Sequence, residues 1–327
     1  MAQYIIKRII FMIPTLFIIS ILTFIIIQLP PGDFVSTMVA NSAAQGQNID
    51  AAEIQALRAR YGLGQPVYVQ YGKWVTGLLQ GDLGFSYTFN EPARSLIMGR
   101  LGFTILISAS ALLMTWAIAF PIGIYSAVRK YSVGDYTFTL LGFLGLAIPD
   151  FLLALVMMYI AFKYFGQSVG GLFSEQYIDA PWSLAKLADL GSHLWIPMVI
   201  VGTAGTAGLI RILRANLLDE LFKPYVITAR SKGVSERRLL LRYPVRIALN
   251  PFISTIGWSL PALFSGETIV GVVLSLPTIG PLLLNALKAQ DMYLAGSIIL
   301  ILSILTVIGT LISDILLAWN DPRIRYQ

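Results

Sequence analysis

Charge-poor apolar runs of about 20 residues recur along this chain, and that length crosses roughly 30 Å of hydrocarbon as a helix. The runs cover Ile9 to Leu29, Phe103 to Val128, Tyr136 to Phe162, Leu194 to Ile210, Pro251 to Leu276 and Tyr293 to Trp319. Three acids fall inside them: Asp150, Glu267 and Asp314. Of the 327 residues 56% are hydrophobic and 12% charged, with a mean hydropathy of +0.74. A soluble protein could not cover that much apolar side chain, so a soluble enzyme and a disordered chain are both excluded. The predicted fold class is an all-α polytopic membrane protein with six transmembrane helices. The absence of cysteine removes disulfides, Cys-type zinc sites, iron–sulfur clusters and thiol nucleophiles.

The first run is longer than the apolar core of a cleaved secretory signal, and Pro30-Pro31-Gly32-Asp33 after it is not a small-residue cleavage site. It reads as a retained span. With the N-terminus inside, 15 of the 23 Lys and Arg fall on inner segments, nine of them between Arg211 and Arg246. The positive-inside rule then makes both termini cytoplasmic. The chain divides into residues 1–29 (N-terminus and first helix), an outer segment 30–102, a core 103–319 holding helices two to six, and a tail 320–327. An inner loop, 211–250, interrupts the core. No repeat relates one half of the chain to the other, which argues against an inverted-repeat secondary transporter.

The inner loop is the most informative stretch. Leu217, Leu218, Leu221, Phe222, Tyr225 and Val226 recur at i, i+3, i+4 spacing and predict one apolar helix face. Pro224 suits a first helical position, and Gly233 is placed to end the helix in a left-handed cap. Ser235 can cap a second helix, with Glu236 in its positive first turn, continued by Arg237, Arg238 and Arg242 up to Pro244. Two readings stand. A basic loop can simply anchor at anionic lipid. A helix–glycine–helix knuckle can also be a docking surface for a partner on the same side of the membrane.

Several motifs in order carry a family resemblance. They are Ile13-Pro14 with Pro31-Gly32-Asp33, Tyr61-Gly62-Leu63 with Pro66-Val67-Tyr68, and Gly81-Asp82-Leu83-Gly84-Phe85-Ser86. Thr228 to Arg238 and then Asp314 with Asn320-Asp321-Pro322-Arg323 complete the set. Across nearly its whole length the chain resembles the inner-membrane permease of a bacterial ABC importer, of the dipeptide/oligopeptide class and first-subunit type. The resemblance implies a type I permease fold with an extra periplasmic segment, in the bacterial inner membrane. It implies a second homologous permease subunit, two cytoplasmic ATPases and a periplasmic or lipid-anchored substrate-binding protein, with no nucleic acid. Thr228, Ala229, Arg230, Lys232, Gly233, Ser235, Glu236 and Arg237 match the loop that such permeases present to their ATPases. The chain has no Gly-x-x-x-x-Gly-Lys-Ser/Thr, so no cofactor is expected in it, and the partners would bind ATP and Mg. The outer segment 30–102 would contact the binding protein or gate the outer mouth; a passive cap over the span ends is the alternative.

An intramembrane acid is costly unless it meets protein, water or a partner. Asp150 and Glu267 therefore each carry two readings, a place on the substrate pathway or pairing inside the bundle. A continuous third helix would put Asp150 about 21 Å from its inner end, with Pro149 bending it. Asp314, near the inner end of span six, is expected to pair with an inner Arg, and His193 to sit at the outer interface. Gly202, Gly205 and Gly208 make span four a small-faced packing helix. Two rival functions remain: a stand-alone ion-coupled carrier or channel using Asp150 and Glu267, and an ABC importer for nickel, opines or sugars.

Overall fold

The structure is a computed structural model that describes residues 2–28, 35–36, 39, 42–43, 50–61, 64–86, 88–166 and 170–321, with 258–267 described by backbone alone. The helices are α1 (Ala2–Gln28), α2 (Ala51–Tyr61), α3 (Val67–Leu79), α4 (Ala93–Val128), α5 (Val133–Ala147) and α6 (Asp150–Phe165). They continue with α7 (Leu184–Leu221), α8 (Pro224–Ser231), α9 (Glu236–Arg242), α10 (Pro244–Val273), α11 (Ile279–Lys288) and α12 (Met292–Asn320). Strands β1 (Phe85–Ser86) and β2 (Glu91–Pro92) form a small antiparallel hairpin. Among the described residues four helices are long and apolar enough to cross a membrane, and five if α5 and α6 count as one span. The fold is all-α and polytopic, as the apolar runs predict. The fifth predicted run lies in α10, where the side chains of 258–267 fall outside the described residues.

The third run departs from expectation. It is two helices bent by 100° at Ile148-Pro149, with Asp150 opening the second. Proline cannot donate to the helix ladder and pushes the residue before it out of helical geometry; Ile148 is extended, at φ −84° and ψ 121°. The distance assigned to Asp150 along a continuous helix is therefore wrong.

The chain forms two compact units. The first holds residues 1–8, 103–281 and 306–327. Its centre is α7, whose small residues let neighbours approach, the usual packing device where lipid supplies no hydrophobic drive between helices. A Cβ on Gly142 or Gly145 of α5 would lie 3.2 Å from Ala207 and 2.9 Å from Thr203. Ala154 and Ala161 of α6 join Ile107, Leu190, Ile196 and Ile200 in one core. Thr115 of α4 donates to the Gly202 carbonyl at 2.9 Å. After α10 the chain turns sharply through Leu274–Thr278. The Gly171 N–H donates to the Leu274 carbonyl at 2.7 Å, and the Ile279 N–H to Thr104 Oγ1 at 2.9 Å.

Polar braces hold the opposite ends of these helices. Ser132 caps α5 by accepting from the Asp135 N–H. Asp135, 2% exposed, takes a two-pronged bond from Arg214 of α7, Nε to Oδ1 at 3.0 Å and Nη2 to Oδ2 at 2.8 Å. The Tyr131 N–H supplies a third donor at 3.0 Å. Arg8 pairs with Asp314 of α12 at 3.1 Å, the pairing expected for that acid. His193 is buried against protein, and its Nδ1 lies 2.8 Å from the Asp189 carbonyl.

The second unit holds residues 9–102 and 282–305. Phe24 of α1, Trp74 of α3, Tyr293 and Leu300 of α12 make its core, and Tyr71 contacts Phe24 edge-on and shares a 2.7 Å hydrogen bond with Ser20. The hairpin is pinned by Asp291, which accepts from Ser86 Oγ at 2.5 Å and the Leu294 N–H at 3.3 Å. Burial pushes the Asp291 carboxyl above its ordinary range, and the bonds from Ser86, Leu294 and Thr88 offset only part of that.

Two glycines test the packing. A Cβ on Gly280 would sit 2.7 Å from Thr268 Cα, so Gly280→Ala should destabilise by about 2–3 kcal/mol. Gly72, inside α3 with nothing within 4 Å of its Cβ position, should gain about 0.5–1 kcal/mol as alanine. Thermal unfolding in detergent reads both, and equal midpoints would refute the packing account. Asp135→Asn should cost about 2–3 kcal/mol because it takes the charge and an acceptor from the partly exposed Arg214 guanidinium, whereas Asp135→Leu combined with Arg214→Met should cost much less; denaturant unfolding in detergent measures both.

Candidate functional site, a basic helical knuckle

The residues singled out in the inner loop form a compact helical knuckle in the first unit. Helix α7 runs without interruption to Leu221 and breaks at Phe222-Lys223, so the apolar stripe predicted as one helix spans two. Pro224 then starts α8, where its missing N–H costs nothing. Tyr225 bridges the break, its hydroxyl donating to Glu220 Oε2 at 2.5 Å. Burial and the Glu220 carboxylate push the Tyr225 hydroxyl well above the usual phenol range, so it stays a donor.

Helix α8 ends at Ser231, and Gly233 follows with φ +75°, the left-handed region that glycine adopts without strain. Its N–H donates to the Arg230 carbonyl at 3.0 Å, and the Val234 N–H to the Ala229 carbonyl at 3.3 Å. Ser235 occupies the N-cap position of α9 but makes no side-chain cap bond. Glu236 in the first turn instead takes both forks of Arg230, Nε at 2.5 Å and Nη2 at 3.1 Å. These bonds hold the Glu236 carboxyl below the usual glutamate range and raise the Arg230 guanidinium. The turn is thus closed twice, by a backbone cap and by a side-chain clamp reaching across it.

The inner face of the knuckle packs on the helices either side. Val226 and Leu239 are buried. Leu240 lies against a core of Leu213 and Leu217 from α7 with Val245, Ala248 and Phe252 from α10. The outer face is different. Thr228, Arg230, Lys232, Gly233, Ser235, Glu236 and Arg237 are exposed and Ala229 is half-buried. Phe222 is 76% exposed, with Ile227 and Leu241 about half exposed beside the bases. Exposed aromatic and aliphatic side chains among arginines make a surface suited to a protein partner.

The two acids are not brought to this site. Asp150 is half-buried at the first turn of α6, immediately after the break. The side chain of Glu267 lies outside the described residues. So do Pro31-Gly32-Asp33, Gly62-Leu63 and the tail from Pro322. Sequence reasoning missed the Asp135–Arg214 brace and the Tyr225–Glu220 bridge. Only the Ser132-to-Asp135 capping spacing carried any local signal for the first.

Comparison with known proteins bears on what the knuckle serves. Residues 119–326 match the family described as binding-protein-dependent transport system inner membrane component. Residues 1–108 match its N-terminal companion family. The chain is 36% identical over 328 residues to the oligopeptide transport system permease protein AppB of Bacillus subtilis, covering 100% of both chains. It is 33% identical to a putative peptide permease protein of Brucella ovis, covering 99% of both. Against the glutathione transport system permease protein GsiC of Escherichia coli it is 31% identical, covering 100% of both. A multi-pass helical chain with these matches over its full length belongs to the inner membrane components of binding-protein-dependent transport systems.

Proposed function

We propose that this chain is one of two membrane subunits of an ATP-driven peptide importer, and that the α8–α9 knuckle seats a cytoplasmic ATPase. The observation that carries this is the knuckle itself in a chain of this family: two short helices locked across Gly233, basic and apolar outside, packed inside on α7 and α10. A lipid anchor needs charge but not a locked turn. Closure of two partner ATPases, which bind ATP and Mg, would displace the knuckle, and its buried face would carry the push into α7 and α10. The relatives named for oligopeptide, peptide and glutathione transport support a peptide-class substrate. In this reading six spans cross the membrane with both termini cytoplasmic, and residues 30–102 meet the substrate-binding protein.

The break at Pro149 favours a pathway role for Asp150. Unwound backbone inside a membrane is tolerated where it is buried in protein or lines a watery cavity, and transporters place such breaks at their substrate sites. A carboxylate there would meet the amino terminus of a peptide.

Reconstitution of the subunit with its companion permease, ATPases and binding protein tests the proposal. Peptide uptake into proteoliposomes should require ATP; uptake driven by an ion gradient without nucleotide would overturn it. Gly233→Val has room for its side chain but must hold a left-handed conformation that costs about 1–2 kcal/mol. It should lower uptake and ATPase retention, whereas Gly233→Asn, which tolerates that conformation, should keep most of both. Glu236→Gln should speed amide exchange across 232–234. The clamp is complete above the ordinary glutamate pKa and is lost only as pH falls through the depressed folded value, so at neutral pH the wild type retains it. Unchanged exchange in the variant would show that the clamp does not hold the turn. Asp150→Asn should raise KM for peptides with a free amino terminus more than for N-acetylated ones.

A further inference from the structure

The tail motif Asn320-Asp321 plays no part in the knuckle, yet it is tied to the helix that leaves it. Asn320 ends α12, and Arg246 and Asn250 occupy the first two turns of α10, directly after α9 and Pro244. Asn320 Nδ2 donates to the Arg246 carbonyl at 2.8 Å and lies 2.7 Å from Asn250 Oδ1, its second acceptor. Arg246 Nε returns a bond to the Asn320 carbonyl at 3.1 Å, and Asn250 Nδ2 donates to Asp321 Oδ2 at 3.2 Å. The last carbonyls of a helix lack internal partners and carry partial negative charge, so a guanidinium there satisfies both needs. The contact continues up the two helices. Ser313 Oγ donates to the Ile253 carbonyl at 2.9 Å, and a Cβ on Gly257 would lie 3.3 Å from Thr310 Cα.

We infer that Asn320 is a positioning residue for energy coupling: it latches the end of α12 to the start of α10, so that displacement of the knuckle moves both helices as one body. This rests on the proposed role of the knuckle. Without the latch, α10 could shift at its first turns while α12 stayed behind, and ATP would be hydrolysed without a matching movement of the pathway. Asn320 suits the task because its amide is short and rigid and donates to two acceptors on one neighbouring helix, a reciprocal pattern that an aspartate of the same shape cannot make.

The test uses the full reconstituted importer, with wild type first establishing ATP-driven uptake; if it has none, the proposed function fails and not the latch. Asn320→Asp and Asn320→Ala should still assemble with the ATPases and hydrolyse ATP. Their ATP consumed per substrate imported should rise about tenfold, the consequence expected from losing the two hydrogen bonds that Asn320 Nδ2 donates, each of ordinary net strength. A variant that loses protein yield or thermal stability but imports at the wild-type ratio would overturn the inference. A second measurement exploits the absence of cysteine from the chain. Asn250→Cys with Asn320→Cys, bridged by a short bis-methanethiosulfonate reagent (each thiolate displaces methanesulfinate, and a reductant later cleaves the disulfides), should restore the ratio, because the two helices are meant to travel together. Transport abolished by the cross-link, and recovered on its cleavage, would show that they separate during the cycle and would overturn it too.

Discussion

Water is missing from the hydrocarbon, and everything else in this fold follows from that. A backbone group without a partner there costs several kcal/mol, so the spanning segments are helices that satisfy themselves. Lipid is as apolar as leucine, so burying leucine does not draw the helices together. Close approach and a few polar bonds do that work instead. Hence small residues of α7 face Gly142, Gly145 and Ala111, and threonine and serine hydroxyls bond to carbonyls of neighbouring helices, as Thr115 does to Gly202.

Where the helices leave the apolar zone the means change. Charged pairs become affordable, and the ends of the helices are held by them. Arg214 grips Asp135, and Arg8 grips Asp314. These pairs tie α7 to α5 and the N-terminus to α12. The knuckle is itself short, capped by a left-handed glycine and bridged across the turn by Arg230 and Glu236. A rigid element between two long helices is what mechanical coupling needs, because displacement lost in a soft linker never reaches the membrane.

Much of this was legible in the residues. The apolar runs predicted where most helices lie, and Pro224, Gly233 and Pro244 marked the boundaries of the knuckle, because proline and glycine act on local backbone geometry. The break at Ile148-Pro149 was visible as a proline, but its size was not. A proline inside a span can kink a helix slightly, as Pro14 and Pro121 do not even interrupt theirs; whether it ends one depends on what packs on either side. Ser235 marked the start of α9, yet its side chain makes no cap bond; a short polar side chain at that position permits a cap without enforcing one.

By itself the sequence determined that the chain is helical, membrane-spanning and built around a basic helix–glycine–helix loop. Those properties depend on residues within about one turn of each other or on composition over a span. Only the tertiary structure decided that Asp135 belongs to Arg214, that Asn320 reaches back to Arg246 and Asn250, and that Asp150 opens a helix rather than lying within one. Pairings across 70 residues or more leave no periodicity to read, since the partner is chosen by which helices pack together and not by spacing along the chain.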